Sequence, residues 1–327
     1  MTITQVAAAT AVAGGSVSFC QGGTVVLTAS AGSSYVWKKA GVVIVGATSQ
    51  TFTANSSGSY TAEVTTGTCV SSSNPIVVTV NANPVASISA NDAVIFCQGG
   101  NVVLTASAGS SWLWSNGAIT QSITVAATGN YSVTIINSSG CSSASAATSV
   151  TVSPKPTVSI SAAPYTNLFP GLTTTLTANV TPPGTYNFTW YKNGILVPGA
   201  TTATLTGIDL DDLGSYTVMT TNTTGLLCSN TSAALVIGDS ATSKLFIYPS
   251  PNGGQFKVRY YTTGANAQNT LVIFDSKGGR IYSGNYLIGS PYQIMDVDIR
   301  QHGRGIYRVV LFSRAGKKIA DGSVVVQ

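Results

Sequence analysis

The sequence predicts an all-β chain of tandem β-sandwiches closed by a differently patterned antiparallel module, and three observations carry that expectation. Apolar residues alternate with hydroxyl residues at a period of two. A near-identical block returns at an offset of 77 residues, and a Trp followed by a Gly-x-Tyr occurs three times. The 327 residues suit three or four compact modules of roughly 100 residues each. Charged residues make up 8% of the chain, against about 25% in an ordinary soluble domain. The polar surface falls instead to 43 Thr, 40 Ser and 34 Gly, a composition that suits pleated strands and an extracellular setting.

Residues 19–35 read FCQGGTVVLTASAGSSY and residues 96–112 read FCQGGNVVLTASAGSSW, identical at 15 of 17 positions. Trp37, Trp114 and Trp190 stand 77 and 76 apart, and lead in turn to Gly58-Ser59-Tyr60, Gly129-Asn130-Tyr131 and Gly214-Ser215-Tyr216. Within the block, Val25, Leu27 and Ala29 belong to one face of a strand while Thr24, Val26 and Thr28 belong to the other, as a half-buried strand requires. Repeats of this length, with Trp on the third strand and Tyr at a corner, resemble the immunoglobulin-like β-sandwich. The third copy matches best: Trp190-Tyr191-Lys192-Asn193-Gly194 looks like strand C turning into C′, and Asp212-Leu213-Gly214-Ser215-Tyr216 looks like the D-x-G-x-Y corner. The second copy runs 17 residues from Trp to Tyr against 23 and 26 in the others, so it is expected to lack a C′ strand. Immunoglobulin-like repeats are expected at 1–81, 82–153 and 154–238.

From Asp239 onward there are eleven Lys/Arg and five acids, giving +6, while residues 1–238 hold four and five, giving −1. The net +5 therefore belongs to the last module. Its charges alternate along strands without a Lys/Arg cluster, which reads as a solvated face and not as a nucleic-acid surface. The module opens Lys244-Leu245-Phe246-Ile247-Tyr248-Pro249-Ser250-Pro251-Asn252-Gly253-Gly254-Gln255-Phe256. It continues Leu271-Val272-Ile273-Phe274-Asp275 with Gly278, then reaches Gly305-Ile306-Tyr307 before a last hairpin. Pro249 and Pro251 remove backbone donors and force an extended entry, and Gly253 and Gly254 permit a tight turn. Strands at regular spacing follow, so a small antiparallel sandwich is expected.

This tail resembles the type A carboxyl-terminal sorting domain of type IX secretion cargo, over 239–327 and with three motif blocks in order. The alternative is an ordinary fourth sandwich. The resemblance implies that Pro249, Pro251, Asn252, Gly253, Phe256, Asp275, Gly305 and Tyr307 form the sorting signal. It also implies that the type IX outer-membrane translocon and its cargo-processing machinery are partners, and that the chain is secreted or held at the cell surface in association with the outer membrane. Ser250 departs from the family, which usually has Asn there, and the end Val324-Val325-Val326-Gln327 lacks the frequent terminal Lys. Asp239-Ser240-Ala241 resembles the D-S/T-apolar acceptor of bacterial O-glycans, with Ser240 as the attachment point, and reads equally as a linker.

No run reaches the roughly 18–20 apolar residues of a membrane-spanning helix, so the chain is not expected to span a membrane. Met1–Gly15 has neither the cationic start nor the Leu-rich core of a usual secretory signal. The chain is therefore expected to be the carboxyl-terminal part of a longer or processed polypeptide.

Five cysteines in an exported chain point to disulfides with one thiol left over. One pairing stays inside repeats: Cys20 with Cys69 and Cys97 with Cys141, leaving Cys228 alone because Pro170 stands at its partner position. The other links consecutive repeats. In an immunoglobulin-like sandwich the A–B and F–G turns lie at opposite ends, about 23 Å apart for a strand of about seven residues. A disulfide tolerates Cα separations only up to about 7 Å. In a row of sandwiches Cys20 then meets Cys141, Cys97 meets Cys228, and Cys69 awaits a partner from a preceding module. Such staples, with short linkers at Asn81-Ala82-Asn83-Pro84 and Ser153-Pro154-Lys155-Pro156, make a stiff rod.

The single His, His302, falls in a turn and leaves no His-based nucleophile or acid–base scheme, and no Gly-x-Ser-x-Gly, phosphate-loop, His-Glu-x-x-His or Cys-x-x-Cys motif occurs. Asp209, Asp211 and Asp212 fall short of the six to eight oxygens that calcium takes, and the last serves the corner. No catalytic residue, cofactor or metal is expected. Tyr35 and Trp112 share strand faces with Trp37 and Trp114, either as a sugar-stacking platform or as packing against a neighbouring module. The function expected is a non-enzymatic stalk or adhesin segment. The alternatives are the accessory region of a secreted hydrolase whose catalytic domain lies upstream, and a module that binds a surface glycan or a host or substratum ligand.

Overall fold

The computed structural model describes residues 8–263 and 267–327. It is all-β, with one 3-10 turn at Leu210–Asp212 among the described residues. Two compact units divide between Ser153 and Pro154.

The first unit holds two sandwiches. In the first, Ala11–Ala13, Val25–Ala29 and Thr51–Ala54 make one sheet. The second sheet runs Ser18–Cys20, Ile76–Asn81, Gly58–Thr66, Ser34–Lys39, Val42–Val43. The opening strand thus switches sheets: Ala11–Ala13 pairs antiparallel with Val25–Ala29, and Ser18–Cys20 then runs parallel to Ile76–Asn81. Val25, Leu27 and Ala29 are buried, as their alternation requires, around Trp37 and Tyr60. The second sandwich repeats this with Ile88–Ala90, Val102–Ala106 and Ser122–Val125 in one layer, and Ile95–Cys97 running parallel to Thr148–Ser153 in the other. Beyond Ser111–Trp114 no C′ strand is present among the described residues.

The second unit opens with the third sandwich, where Thr157–Ala163, Thr174–Thr181 and Thr204–Ile208 face a sheet ordered Asn167–Leu168, Leu235–Asp239, Gly214–Asn222, Tyr186–Lys192, Ile195–Leu196. Its C–C′ turn places Asn193 at φ 52° and Gly194 at φ 79°, the doubly left-handed pair that a two-residue hairpin needs. The tail is a separate sandwich. Leu245–Tyr248, Gln255–Tyr260 and Met295–Asp298 cover the four-stranded sheet Arg280–Ile288, Ala267–Phe274, Gly305–Ser313, Lys318–Val326, around a core that includes Phe256, Leu271, Val309 and Val324.

The same polar fastenings recur in each repeat. The buried Trp37, Trp114 and Trp190 donate their indole N–H to the carbonyls of Ser49, Thr120 and Thr202 at 3.0, 2.8 and 2.9 Å. The hydroxyls of Tyr60, Tyr131 and Tyr216 donate to the carbonyls four residues upstream, on Ser56, Ala127 and Asp212. Ser73, Ser145 and Ser232 interrupt the last strand, each accepting on its hydroxyl the amide of Ala62, Val133 or Val218. The repeated Ala-Gly-Ser-Ser has a steric cause: a Cβ on Gly32 would stand 2.3 Å from Val64 Cγ1, and one on Gly109 would stand 2.3 Å from Ile135 Cγ2.

Burial, then the charges of Asp212 and Asp209, push the Tyr216 hydroxyl up to about 12 from 10.0. The fold prefers the neutral phenol, so this contribution is whole below pH 10 and is lost as pH climbs through about 12. The denaturation midpoint of the third sandwich is expected to fall across that window, and Tyr216→Phe to flatten the fall.

Candidate functional site

The first joint is built from the ends of strands. Cys20 closes Ser18–Cys20, whose parallel pairing with Ile76–Asn81 brings it to the point where the chain leaves the first sandwich. The amide of Gln21 donates to the carbonyl of Asn81 at 2.8 Å, and the amide of Gly23 to that of Cys20 at 2.9 Å. From the second sandwich, Asn137 folds the loop that carries Cys141, accepting the Cys141 amide on Oδ1 at 3.0 Å. Asn137 Nδ2 also donates to the linker carbonyl of Ala82 at 2.9 Å. Cys20 and Cys141 are joined as a disulfide, with Cα atoms 5.5 Å apart and Cys141 fully buried. The within-repeat pairing is therefore corrected: Cys69 is a free, exposed thiol, and Cys141 bonds across the joint instead of to Cys97. Cys97 and Cys228 are each held in a disulfide.

In the tail, the segment of Pro249, Ser250, Pro251 and Asn252 fastens the end of the chain. Asn252 donates from Nδ2 to the Pro249 carbonyl at 2.7 Å and accepts the Gly254 amide on Oδ1 at 2.7 Å, which shapes the turn through the exposed Gly253. Gly254 sits at φ 95°, and a Cβ there would stand 2.9 Å from Arg300 Cα. The Ser250 hydroxyl accepts the amide of Val325 at 3.1 Å, the Asn252 amide donates to the Val325 carbonyl at 3.0 Å, and the Gln327 amide returns to the Asn252 carbonyl at 2.8 Å. Ser250 thus supplies an acceptor for the last strand.

The other motif residues are also fastenings. Phe256 is in the core. Asp275 Oδ1 accepts the amides of Lys277 and Gly279 at 2.9 and 2.7 Å, closing the hairpin. Gly305 begins its strand, and the buried Tyr307 donates its hydroxyl to the carbonyl of Gly303, repeating the four-residue corner of the three repeats. Tyr307→Phe is expected to lower the stability of the tail by about 1 kcal/mol, read as a lower urea midpoint at unchanged slope. Beside the Gly254 turn, hydrogen bonds from Arg300 hold Asp298 down at about 2.

The remaining candidates are placed as follows. Ser240 follows the strand Leu235–Asp239, its amide donating to the Leu168 carbonyl at 2.8 Å, so it is an ordered continuation of the sandwich. Tyr35 and Trp112 are each engaged within their own sandwich. Tyr35 bonds its hydroxyl to the backbone of Gly32, Trp112 donates its indole N–H to Ser107, and both pack on their own cores. Asp209 caps the 3-10 turn, Asp212 pairs with Lys192 at 3.0 Å, and Asp211 pairs with Arg259 at 2.8 Å. His302 lies at the turn after Ile299, half-buried. No group of three or more His, Cys, Asp or Glu suited to a metal is present among the described residues, nor is a helix long and apolar enough to cross a membrane.

No family model matches the chain, and no curated protein matches it in sequence. Among solved structures it is similar to the N-terminal eight Ig domains of Down Syndrome Cell Adhesion Molecule, with 14% identity and a TM-score of 0.37 over 98% of this chain, which spans 49% of that one. It is also similar to three N-terminal domains of the bacteriophage RB49 Highly Immunogenic Outer Capsid protein, at 16% identity and a TM-score of 0.26 over 73% of this chain and 96% of that one. The N-terminal four Ig domains of Dscam1 match at 12% identity and a TM-score of 0.20, over 95% of this chain and 96% of that one.

Proposed function

We propose that the chain is a non-enzymatic stalk or adhesin segment, carried out of the cell by its tail through a type IX outer-membrane translocon and held at or beyond the outer membrane. The observation that carries the stalk reading is the disulfide between Cys20 and Cys141, which belong to consecutive sandwiches. Each sandwich has its own core. A bond across the joint restricts bending between modules and passes load from one to the next. By the same rule Cys97 pairs with Cys228, and Cys69, at the position in the first repeat that Cys141 holds in the second, accepts a cysteine from another module. Peptide mapping without reductant is expected to yield a Cys97–Cys228 peptide, and a Cys69 cross-link to either would contradict the scheme.

The export reading rests on the three tail blocks in their order. Their residues shape the turn at 252–254, the hairpin at 275–279 and the corner at Tyr307, and so fix the form of the element the machinery receives. Asp209 caps a turn, and Asp211, Asp212, Asp298 and Asp321 pair with Lys or Arg. Fusing residues 239–327 to a periplasmic reporter is expected to carry it outside a cell that has the machinery, and retention of the reporter refutes the export reading.

A further inference from the structure

The joint between the third sandwich and the tail lies within one compact unit and is fastened differently from the first joint. The tail contains no cysteine, and Pro170 stands where the earlier repeats have Cys20 and Cys97. In place of a disulfide, four aromatic rings form a chain across the joint. Phe169 lies 5.5 Å from Phe246, Phe246 lies 5.8 Å from Tyr292, and Tyr292 lies 5.4 Å from Tyr261. Tyr292 is buried at φ 55°, a conformation that bulky residues avoid and that persists only where surrounding contacts impose it. Its hydroxyl donates to the carbonyl of Ser240, the first residue after the third sandwich.

Beside the rings, Arg259 Nη2 reaches both carboxylate oxygens of Asp211, at 2.8 and 3.0 Å. The Arg259 side chain is 6% exposed and lies over the Tyr248 ring at 5.7 Å, while its Nε is buried without a partner. A guanidinium buried in this way needs its carboxylate, because the charge left alone is costly. That carboxylate comes from the other module, and it is fixed there: Asp209 Oδ1 accepts the Asp211 amide at 2.8 Å.

We propose that the third sandwich is a docking partner for the tail, through a separable ionic and aromatic clamp that keeps the tail bound after residues 241–244 are cut. The partner recognised is the tail's own Arg259 with the Phe246–Tyr292 face, and the surface that takes it is Phe169 with the aspartate corner at 209–211. The inference stands whether or not the tail is an export address. Joints stapled by cysteine resist separation, whereas this joint parts once the chain is cut and the clamp is broken.

The test uses the full chain with its disulfides intact and a protease recognition sequence inserted between Ala241 and Lys244. After cutting, the two pieces are expected to sediment together at micromolar concentration, and a dilution series gives their dissociation constant. Asp211 is 69% exposed in its side chain, so Asp211→Asn is expected to leave the third sandwich folded. The substitution is expected to weaken the complex by at least about tenfold, because it leaves the buried guanidinium without its carboxylate, and raising salt to about 1 M to weaken the unmutated pair by less. Phe246→Ala is expected to abolish co-sedimentation. Separation of the unmutated pieces on cutting overturns the proposal, and an unchanged dissociation constant in Asp211→Asn overturns its ionic half.

Discussion

Trp190→Ala is expected to destabilise the third sandwich by about 3–5 kcal/mol, the cost of emptying a fully buried aromatic site. Two losses combine. The ring leaves a cavity among Leu176, Tyr216, Val218 and Ile237, and the carbonyl of Thr202 loses the indole N–H that satisfies it. Net domain stability is about 5–15 kcal/mol, so a change of this size leaves a marginal sandwich. Amide exchange locates the effect: protection across Thr174–Thr181 and Gly214–Asn222 is expected to fall steeply, while that of the tail core falls less. Leu196→Ala, on the exposed C′ edge at 53% exposure, serves as the control and is expected to change stability by at most about 0.5 kcal/mol.

Cys141→Ser is expected to change the mechanics of the first unit more than its fold. The disulfide closes a loop of 121 residues in sequence separation. A chain pulled from its ends cannot extend that loop while the bond holds. With Cys97 also replaced by Ser, so that its own disulfide does not bypass the loop, Cys141→Ser or reduction is expected to release about 400 Å more contour length, at about 3.3–3.6 Å per residue. Single-molecule extension with and without reductant reads this directly, and equal contour lengths would place the bond outside the load path. Each sandwich is expected to keep its own melting transition in the variant, because neither core draws on the other.

Much of the repeat architecture is legible in the sequence because strong local signals mark it. The period-two alternation of Val25, Leu27 and Ala29, the Trp spacing and the Gly-x-Tyr corners each correspond to one physical need: a buried face, a core ring with a bonded N–H, and a tyrosine that ties strand to turn. Stapling across the first joint is also legible, since strand length alone separates the two ends of a sandwich. Other features carry no such mark. Ser73, Ser145 and Ser232 plug the last strand of each repeat, yet one serine in a chain with 40 of them has no contrast. The aligned AGSS blocks reveal that Gly32 and Gly109 recur, but only the 2.3 Å approach of a neighbouring side chain reveals why.

The candidate tail signal divides in the same way. Pro249, Pro251 and Asn252 stand out in sequence, but the strand they fasten, Lys318–Val326, lies some seventy residues on, and the hydrogen bonds at Val325 join the two only in space. The strand-face periodicity places Tyr35 and Trp112 beside the core Trp of each repeat, but not the hydrogen bond each makes to its own B–C segment. Arg259 and Tyr292 had no sequence signature, because a clamp between modules depends on which loops the folds bring together.

The central claim, that this is a surface stalk delivered by its tail, is tested most directly by expressing the whole chain in paired cells with and without a type IX translocon and digesting intact cells with protease. The expected result is digestion from outside only in the competent cell, lost when residues 245–327 are deleted. Equal accessibility in both cells, or export that survives the deletion, would contradict it.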